Sequence, residues 1–391
     1  MSSSPTPHDV GARLALVERN TAELLTRDEI AASLASGRTI QHYIGFEISG
    51  LIHLGSGLVS MGKVRDFMEA GITCRVFLAD WHTWINDKLD GNLDTIRRFA
   101  TSYFAQGMKA SLLAAGGDPS RLEIVLASDL YRSTSDYWAG VVEVAKHTSL
   151  ARMQRSITIL GRSEGDSVDF AKLMYPAMQA ADIFAQGVTL AHAGMDQRKA
   201  HVIARDTALH LKVQRLVDEN GASVKPAAVH HPLLQGLRKP AVWPVPPGQE
   251  KNAMTSMKMS KSDAGSAIFI HDTPDQIRRK VAKAFCPPEP EYVAFNPVLD
   301  WSKQLVFGLM GRSFSLSSQD GSSTVFEHFS ELEKAFREGK VHPGDLKNSL
   351  STHLIDILEP VRKQYSEPDL AAATSELMEL VALKKTSAKP G

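Results

Sequence analysis

At 391 residues, with 43% apolar and 23% charged side chains, the chain can bury a large core and is long enough for one big domain and a smaller one. Its 44 basic and 44 acidic residues cancel, which excludes a generally basic coat for nucleic acid but not a local basic patch. No run of about eighteen apolar residues occurs, so no membrane span is expected, and the Ser/Pro-rich start lacks a signal-peptide core. Cys74 and Cys286 match no metal or disulfide framework, so a reducing, cytoplasmic setting is the natural expectation.

In chain order, residues 1–27 form an N-terminal segment, flexible or helical. Residues 39–48 predict a strand, 55–69 a helix closed by Gly71, 74–78 a second strand, and 93–115 a helix stopped by Gly116 and Gly117. Residues 122–126 and 188–193 predict two more strands, and 197–216 a long helix. Strands separated by helices of about ten or more residues predict an α/β fold on a parallel sheet with right-handed crossovers. Ligands of such sheets sit at the carboxyl ends of the strands, which here carry Glu47, Asp80, His82, Asp129 and Gln197. The alternation pauses over 131–165. There 137–160 predicts one long helical stretch bearing Lys146, His147, Arg152 and Arg155, read as an insertion between the halves of the sheet. Residues 221–252 are rich in Pro and Gly and predict a loop. From about 270 the pattern is helical (274–285, 305–310, 326–338, 342–366), which predicts a smaller, mainly α domain, and 384–391 reads as a frayed tail.

Three constellations carry chemistry. Residues 57–64 nearly spell a P-loop, but Val64 stands where magnesium needs Ser or Thr, so a helix surface with Lys63 and Arg65 in solvent is expected instead. The turn from Gly45 to Gly55 lets backbone approach a ligand and opens a helix whose free N–H groups suit phosphate, with His53 as a further donor. Far along the chain, Lys258, Met259, Ser260, Lys261 and Ser262 set two cations and small hydroxyls on a loop able to close over a pyrophosphate. Tyr175, Gln179 and Asp182, at i, i+4 and i+7, share one helix face beside small alanines. Met174, Met178, Ile183 and Phe184 make that helix apolar elsewhere and so buried; a buried Asp182 then needs a hydrogen-bond donor, which a ligand hydroxyl would provide. Gln197 can point into the same pocket, while Arg198 and Lys199 can face an acidic macromolecule or plain solvent.

These segments, with Leu78-Ala-Asp80, Gly194-Met-Asp-Gln-Arg-Lys199 and His342-Pro-Gly-Asp-Leu-Lys347, resemble a class I aminoacyl-tRNA synthetase, of the tyrosyl-tRNA synthetase family in its archaeal and eukaryotic form. The resemblance runs from about residue 31 to 363. It implies a Rossmann-like catalytic domain over 28–265, with a helical insertion and dimer interface at 131–165 and the lysine loop at 255–265. It also implies an anticodon-side helical domain over 266–383. Tyr43 and Asp182 would bond the tyrosine phenol; Tyr175, Gln179, Gln197 and Glu47 would surround the amino acid's ammonium end. Gly45, His53, Gly55 and Ser56 would hold ATP with residues 258–262, His53, Lys258 and Lys261 being catalytic. Arg155, Arg198 and Lys199 would meet the tRNA acceptor end, and His342 and Asp345 the anticodon side. The implied partners are L-tyrosine, ATP with its Mg2+, tRNA(Tyr) and a second copy of the chain, with no protein-bound metal or prosthetic group. Ser56 stands where the family's first signature usually has a second histidine. A tryptophanyl relative and a non-catalytic RNA-binding paralogue are the alternatives; Asp182 beside Tyr43 suits a phenol better than an indole, and the intact lysine loop favours catalysis.

Overall fold

The computed structural model describes residues 9–162, 166–250, 253, 254, 257, 259 and 265–387. Its centre is a six-stranded sheet in the order β1-β6-β5-β2-β3-β4. The strands are β1 (Glu23–Leu25), β2 (Gln41–Phe46), β3 (Thr73–Leu78), β4 (Leu122–Leu126), β5 (Leu190–Gly194) and β6 (Ala227–His231). All neighbours run parallel except β1, which pairs antiparallel with β6 at the edge. The chain lays β2, β3 and β4 outward in one direction, then returns to place β5 on the other side of β2. That reversal opens a crevice between the carboxyl ends of β2 and β5, where ligands of such sheets bind.

Two of these strands depart from the sequence reading. Residues 227–231 lie in the stretch expected to be loop, yet β6 is buried throughout. Pro226 and Pro232 flank a strand of only five residues, and pairing with β5 decides what local composition hides. Edge strand β1 lies in the segment expected to be flexible or helical, which also contains the helix Val10–Glu18.

The long helix expected over 137–160 divides into Tyr137–Lys146 and Leu150–Ser156, because Ser149 takes extended backbone and its hydroxyl caps the second piece at the Arg152 N–H. The helix expected to reach 216 is Arg198–Thr207. Beyond it, the Glu143 carboxylate accepts the backbone N–H groups of Lys212 and Val213, which removes those donors from any helical ladder.

Helices Pro274–Ala282, Phe329–Arg337, Pro343–Tyr365 and Pro368–Ser387 make up most of the C-terminal part. A hairpin of β7 (Phe314–Ser317) and β8 (Ser323–Phe326) was not foreseen; Asp320 closes its turn by accepting the N–H and hydroxyl of Ser322. The last helix also extends past 384, where fraying was expected. One apolar core runs from Leu14 to Leu377 and joins these helices to the sheet.

Lys63 corrects the sequence reading most sharply. It lies in the helix Ser60–Glu69, but only 3% of it is exposed. Its ammonium donates to the carbonyls of Leu16, Val17 and Arg19 at 2.9, 2.6 and 2.7 Å. These carbonyls lie at the C-terminal end of Val10–Glu18, where the helix leaves acceptors without partners in its own ladder, a favourable place for a cation. Burial nevertheless pulls its pKa down to about 7. Arg65 is also drawn inward, onto Asp66 and the carbonyls of Ala115 and Leu309.

Candidate active site

The crevice holds two connected subsites. The closed one is built on the helix Phe170–Ala185, whose first turn is capped by Asp169. The expected spacing puts Tyr175, Gln179 and Asp182 along the lining, opposite Tyr43 and Glu47 from β2 and the residue after it. Asp182 is 1% exposed, and its Oδ1 accepts hydroxyls from Tyr131 at 2.9 Å and Tyr137 at 2.8 Å. Those two rings stack with centroids 3.8 Å apart. Burial raises the Asp182 pKa to about 8 even though both hydroxyls pull the other way. His82 Nε2 lies 3.5 Å from Asp182 Oδ2, but burial lowers that imidazole to about 3, so the contact is not an ion pair. Tyr43 is buried edge-on to Phe77, its phenol pushed above the ordinary range by burial and then by Asp182.

At the other end of this pocket Glu47 Oε1 accepts the Tyr175 hydroxyl at 2.9 Å and the Asn86 amide at 2.8 Å. Gln179 donates to Gln197 Oε1 at 3.3 Å, and Gln197 donates to the Ile159 carbonyl at 3.0 Å. Gln179 Oε1 is buried without a donor among the described residues. Carboxylate and amide oxygens gathered here suit a ligand ammonium, while Asp182 at the closed end suits a ligand hydroxyl.

The open subsite is the glycine turn. Gly50 takes φ +134, a backbone state in which L side chains are strained. The turn is pinned by Leu54 N–H to Ile268 O and Ile270 N–H to Ile52 O, both 3.0 Å, so the first signature is tied to the chain just beyond the second. A Cβ on Gly57 would lie 2.7 Å from Ile270 Cγ2, which is why the contact needs glycine. Residues Gly55–Val59 form a wide helical turn with i to i+5 bonding, a form common at functional sites. His53 Nδ1 accepts the Ser56 N–H at 3.2 Å. Met259 lines the same crevice as Gly45, His53, Gly55 and Ser56. Lys258, Ser260, Lys261 and Ser262 lie outside the described residues.

Of the other strand-end residues, Asp80 and Asp129 stay out of the crevice. Asp80 holds Ser128 and Arg97, and Asp129 pairs with exposed Arg132. Arg155 and Lys199 are neighbours, Lys199 donating to the Arg155 carbonyl at 2.6 Å, whereas Arg198 is held by Glu23 at 2.8 Å. His342 is remote from the crevice and caps its helix through Gly344 N–H; Asp345 is 8% exposed in that first turn. Sequence reasoning missed Tyr131, Tyr137, Asn86, Ser60 and His231. The buried Asp182 is expected to need a donor, with a ligand hydroxyl as one source; two tyrosines from the stretch read as an insertion already supply donors.

A parallel sheet with a reversal of strand order, a glycine turn opening a helix, and a deep polar pocket beside it define an enzyme that brings a nucleotide to a small amino-acid-like substrate. The model for tRNA synthetases class I (W and Y) matches residues 35–359, and the chain belongs to that family. The chain is 50% identical to the tyrosine–tRNA ligase of Thermococcus onnurineus over 92% of its length and 96% of the relative's. It is 51% identical to that of Thermococcus sibiricus over the same shares. The crystal structure of tyrosyl-tRNA synthetase complexed with L-tyrosine from Pyrococcus horikoshii superimposes with a TM-score of 0.89 at 48% identity, covering 96% of this chain and all of that one.

Proposed function

We propose that the chain is a tyrosine–tRNA ligase, and that the observation carrying this is Asp182, buried with Tyr43 at the closed end of a pocket that opens onto the glycine turn. Tyrosine enters with its phenol at Asp182 and Tyr43. Its ammonium lies among Tyr175, Gln179, Gln197 and Glu47. A carboxylate oxygen then attacks the α-phosphorus of ATP, the bond to the β-phosphate oxygen breaks, and pyrophosphate leaves, giving tyrosyl-adenylate. The tRNA 3′-terminal hydroxyl next attacks the acyl carbon and releases AMP. His53 stabilises charge at the α-phosphate, while the Ser56 and Gly57 N–H groups are occupied in holding His53 itself; Lys258 and Lys261 meet the leaving pyrophosphate, and Mg2+ arrives with ATP. Sites built to bond a substrate hydroxyl reject the analogue lacking it by about 10⁴–10⁵-fold, tyrosine against phenylalanine in this enzyme class being the standard instance.

Residues 28–265 carry the chemistry and 266–383 the anticodon side, with Arg155, Arg198 and Lys199 toward the acceptor end and His342 and Asp345 at the far end. The chain works in the cytoplasm; no helix among the described residues is long and apolar enough to cross a membrane. It works as a homodimer. Trp138, Val142, Leu209 and Val213 are exposed, and Glu143 capping Lys212 and Val213 brings their two segments side by side. A V142E variant should sediment at half the mass of the parent; equal masses would remove the dimer from this reading. Pyrophosphate exchange should run with tyrosine, fail with tryptophan, and with phenylalanine be weaker by about 10⁴–10⁵-fold at equal concentration. Exchange with tryptophan, or with no amino acid, would overturn the assignment.

A further inference from the structure

A file of buried imidazoles leads from the core to the nucleotide turn, and the chemistry above does not use it. His42 Nε2 lies 3.1 Å from His192 Nδ1, and His192 Nε2 lies 2.8 Å from His231 Nδ1. His231 Nε2 lies 3.5 Å from the Ser60 hydroxyl, which donates to the Gly55 carbonyl at 3.2 Å. The three histidines come from β2, β5 and β6, adjacent strands whose register sets His42 beside Leu190 and Gly194 beside His231. His42 and His192 are at most 1% exposed and His231 is 6% exposed, while His231 and Ser60 both line the crevice. Phe67 packs against the rings of His42 and His192 and limits their rotation.

The hydrogen bonds of this file have one consistent direction. Ser60 has a single hydroxyl proton, committed to Gly55 O, so its oxygen must accept from His231 Nε2–H. His231 Nδ1 is then an acceptor for His192 Nε2–H, and His192 Nδ1 an acceptor for His42 Nε2–H. What remains is the His42 Nδ1 lone pair, buried with no partner among the described residues. The opposite direction would leave a buried N–H donor there, the rarer and more costly defect. It would also take the Ser60 proton from Gly55. Burial holds all three imidazoles far below their ordinary pKa, so the file is uncharged.

We infer that His231 is a positioning residue for ATP: its Nε2–H, oriented by His192 and His42, holds Ser60 on the Gly55 carbonyl and so keeps the wide turn Gly55–Val59 open for the α-phosphate. This rests on the reading of that turn as the nucleotide cradle.

The test is steady-state pyrophosphate exchange with the full-length enzyme, paired with long-range ¹⁵N–¹H NMR of its histidines. H231A should raise KM for ATP about tenfold, the expected scale for one hydrogen bond of about 1.4 kcal/mol, and leave tyrosine binding unchanged. H231Q, which keeps a donor near the Nε2 position, should recover most of that loss. H192F should raise KM for ATP with normal tyrosine binding, because His231 is then free to change tautomer. The wild-type spectrum should show His42, His192 and His231 as neutral Nε2–H tautomers from pH 5 to 8. An Nδ1–H tautomer at His231, titration of any of the three in that range, or an unchanged KM for ATP in H231A would overturn the inference. Should H231A fail to fold, H231Q and H192F carry the KM comparison and the wild-type spectrum still decides the direction of the file. H53A separates the two levels: if it weakens ATP use and H231A does not, only the imidazole file loses its role; if neither does, the cradle itself is misassigned.

Discussion

Asp182→Asn is expected to lower the preference for tyrosine over phenylalanine by about 10²-fold, because a hydrogen bond to a charged group contributes about 1.5–3 kcal/mol. Oδ1 already accepts two tyrosine hydroxyls. On the proposed reading the substrate phenol would be a third donor for the same carboxylate, reaching Oδ2. An asparagine keeps the shape and the Oδ1 acceptor but turns an N–H₂ toward the phenol. Phenylalanine, which makes no such bond, should be used equally well by variant and parent, so the change belongs to tyrosine alone. Three donors on one carboxylate also favour its ionised form, whereas burial in the unliganded pocket raises its pKa to about 8. Tyrosine binding should therefore release a proton near neutrality. KM for tyrosine should fall by up to about tenfold per unit as pH rises toward 8, then level off. That slope should vanish in Asp182→Asn and be absent for phenylalanine. Unchanged discrimination in the variant would show that the phenol sits elsewhere; a flat tyrosine profile in the parent would show that Asp182 is already ionised before substrate arrives.

The parts of this site that were legible in the sequence are the local ones. Tyr175, Gln179 and Asp182 declare themselves through helical spacing, and the glycines around His53 through the turn they permit. Strands β2 to β5 stand out because β-branched and aromatic runs alternate with helices, and the structure places them within two residues of expectation. What stayed hidden depends on partners distant in sequence. Tyr137 reaches Asp182 because Tyr137–Lys146 packs on Phe170–Ala185, and Tyr131 reaches it from the separate helix Ala127–Ser133; nothing near either tyrosine names its acceptor. Lys63 looked like a solvent residue because its partners are carbonyls of another helix, and carbonyls leave no trace in composition. Strand β6, short and bracketed by prolines, is a strand because β5 lies beside it. His231 was hidden with it, and so was the histidine file.

The second large effect should come from His53, and the geometry says which nitrogen matters. Nδ1 is occupied by the Ser56 backbone N–H, so in the neutral ring the hydrogen sits on Nε2. On the proposed reading that N–H would meet the charge developing on the α-phosphate as pyrophosphate leaves. Removing one such preorganised donor costs about 10²–10³-fold in rate, so His53→Ala should slow adenylate formation in a single turnover by that factor while tyrosine binding stays normal. His53→Gln can place an amide N–H near the Nε2 position and should recover part of the rate. His53→Asn reaches only the Nδ1 position and should not. Ser56 contributes through its main chain, since its hydroxyl turns back to the His53 carbonyl at 3.3 Å. Ser56→Ala should then be nearly silent. If Ser56→Ala proves as damaging as His53→Ala, the hydroxyl has a direct role with ATP. If His53→Asn matches His53→Gln, the imidazole acts through shape or charge and not through a donor at Nε2.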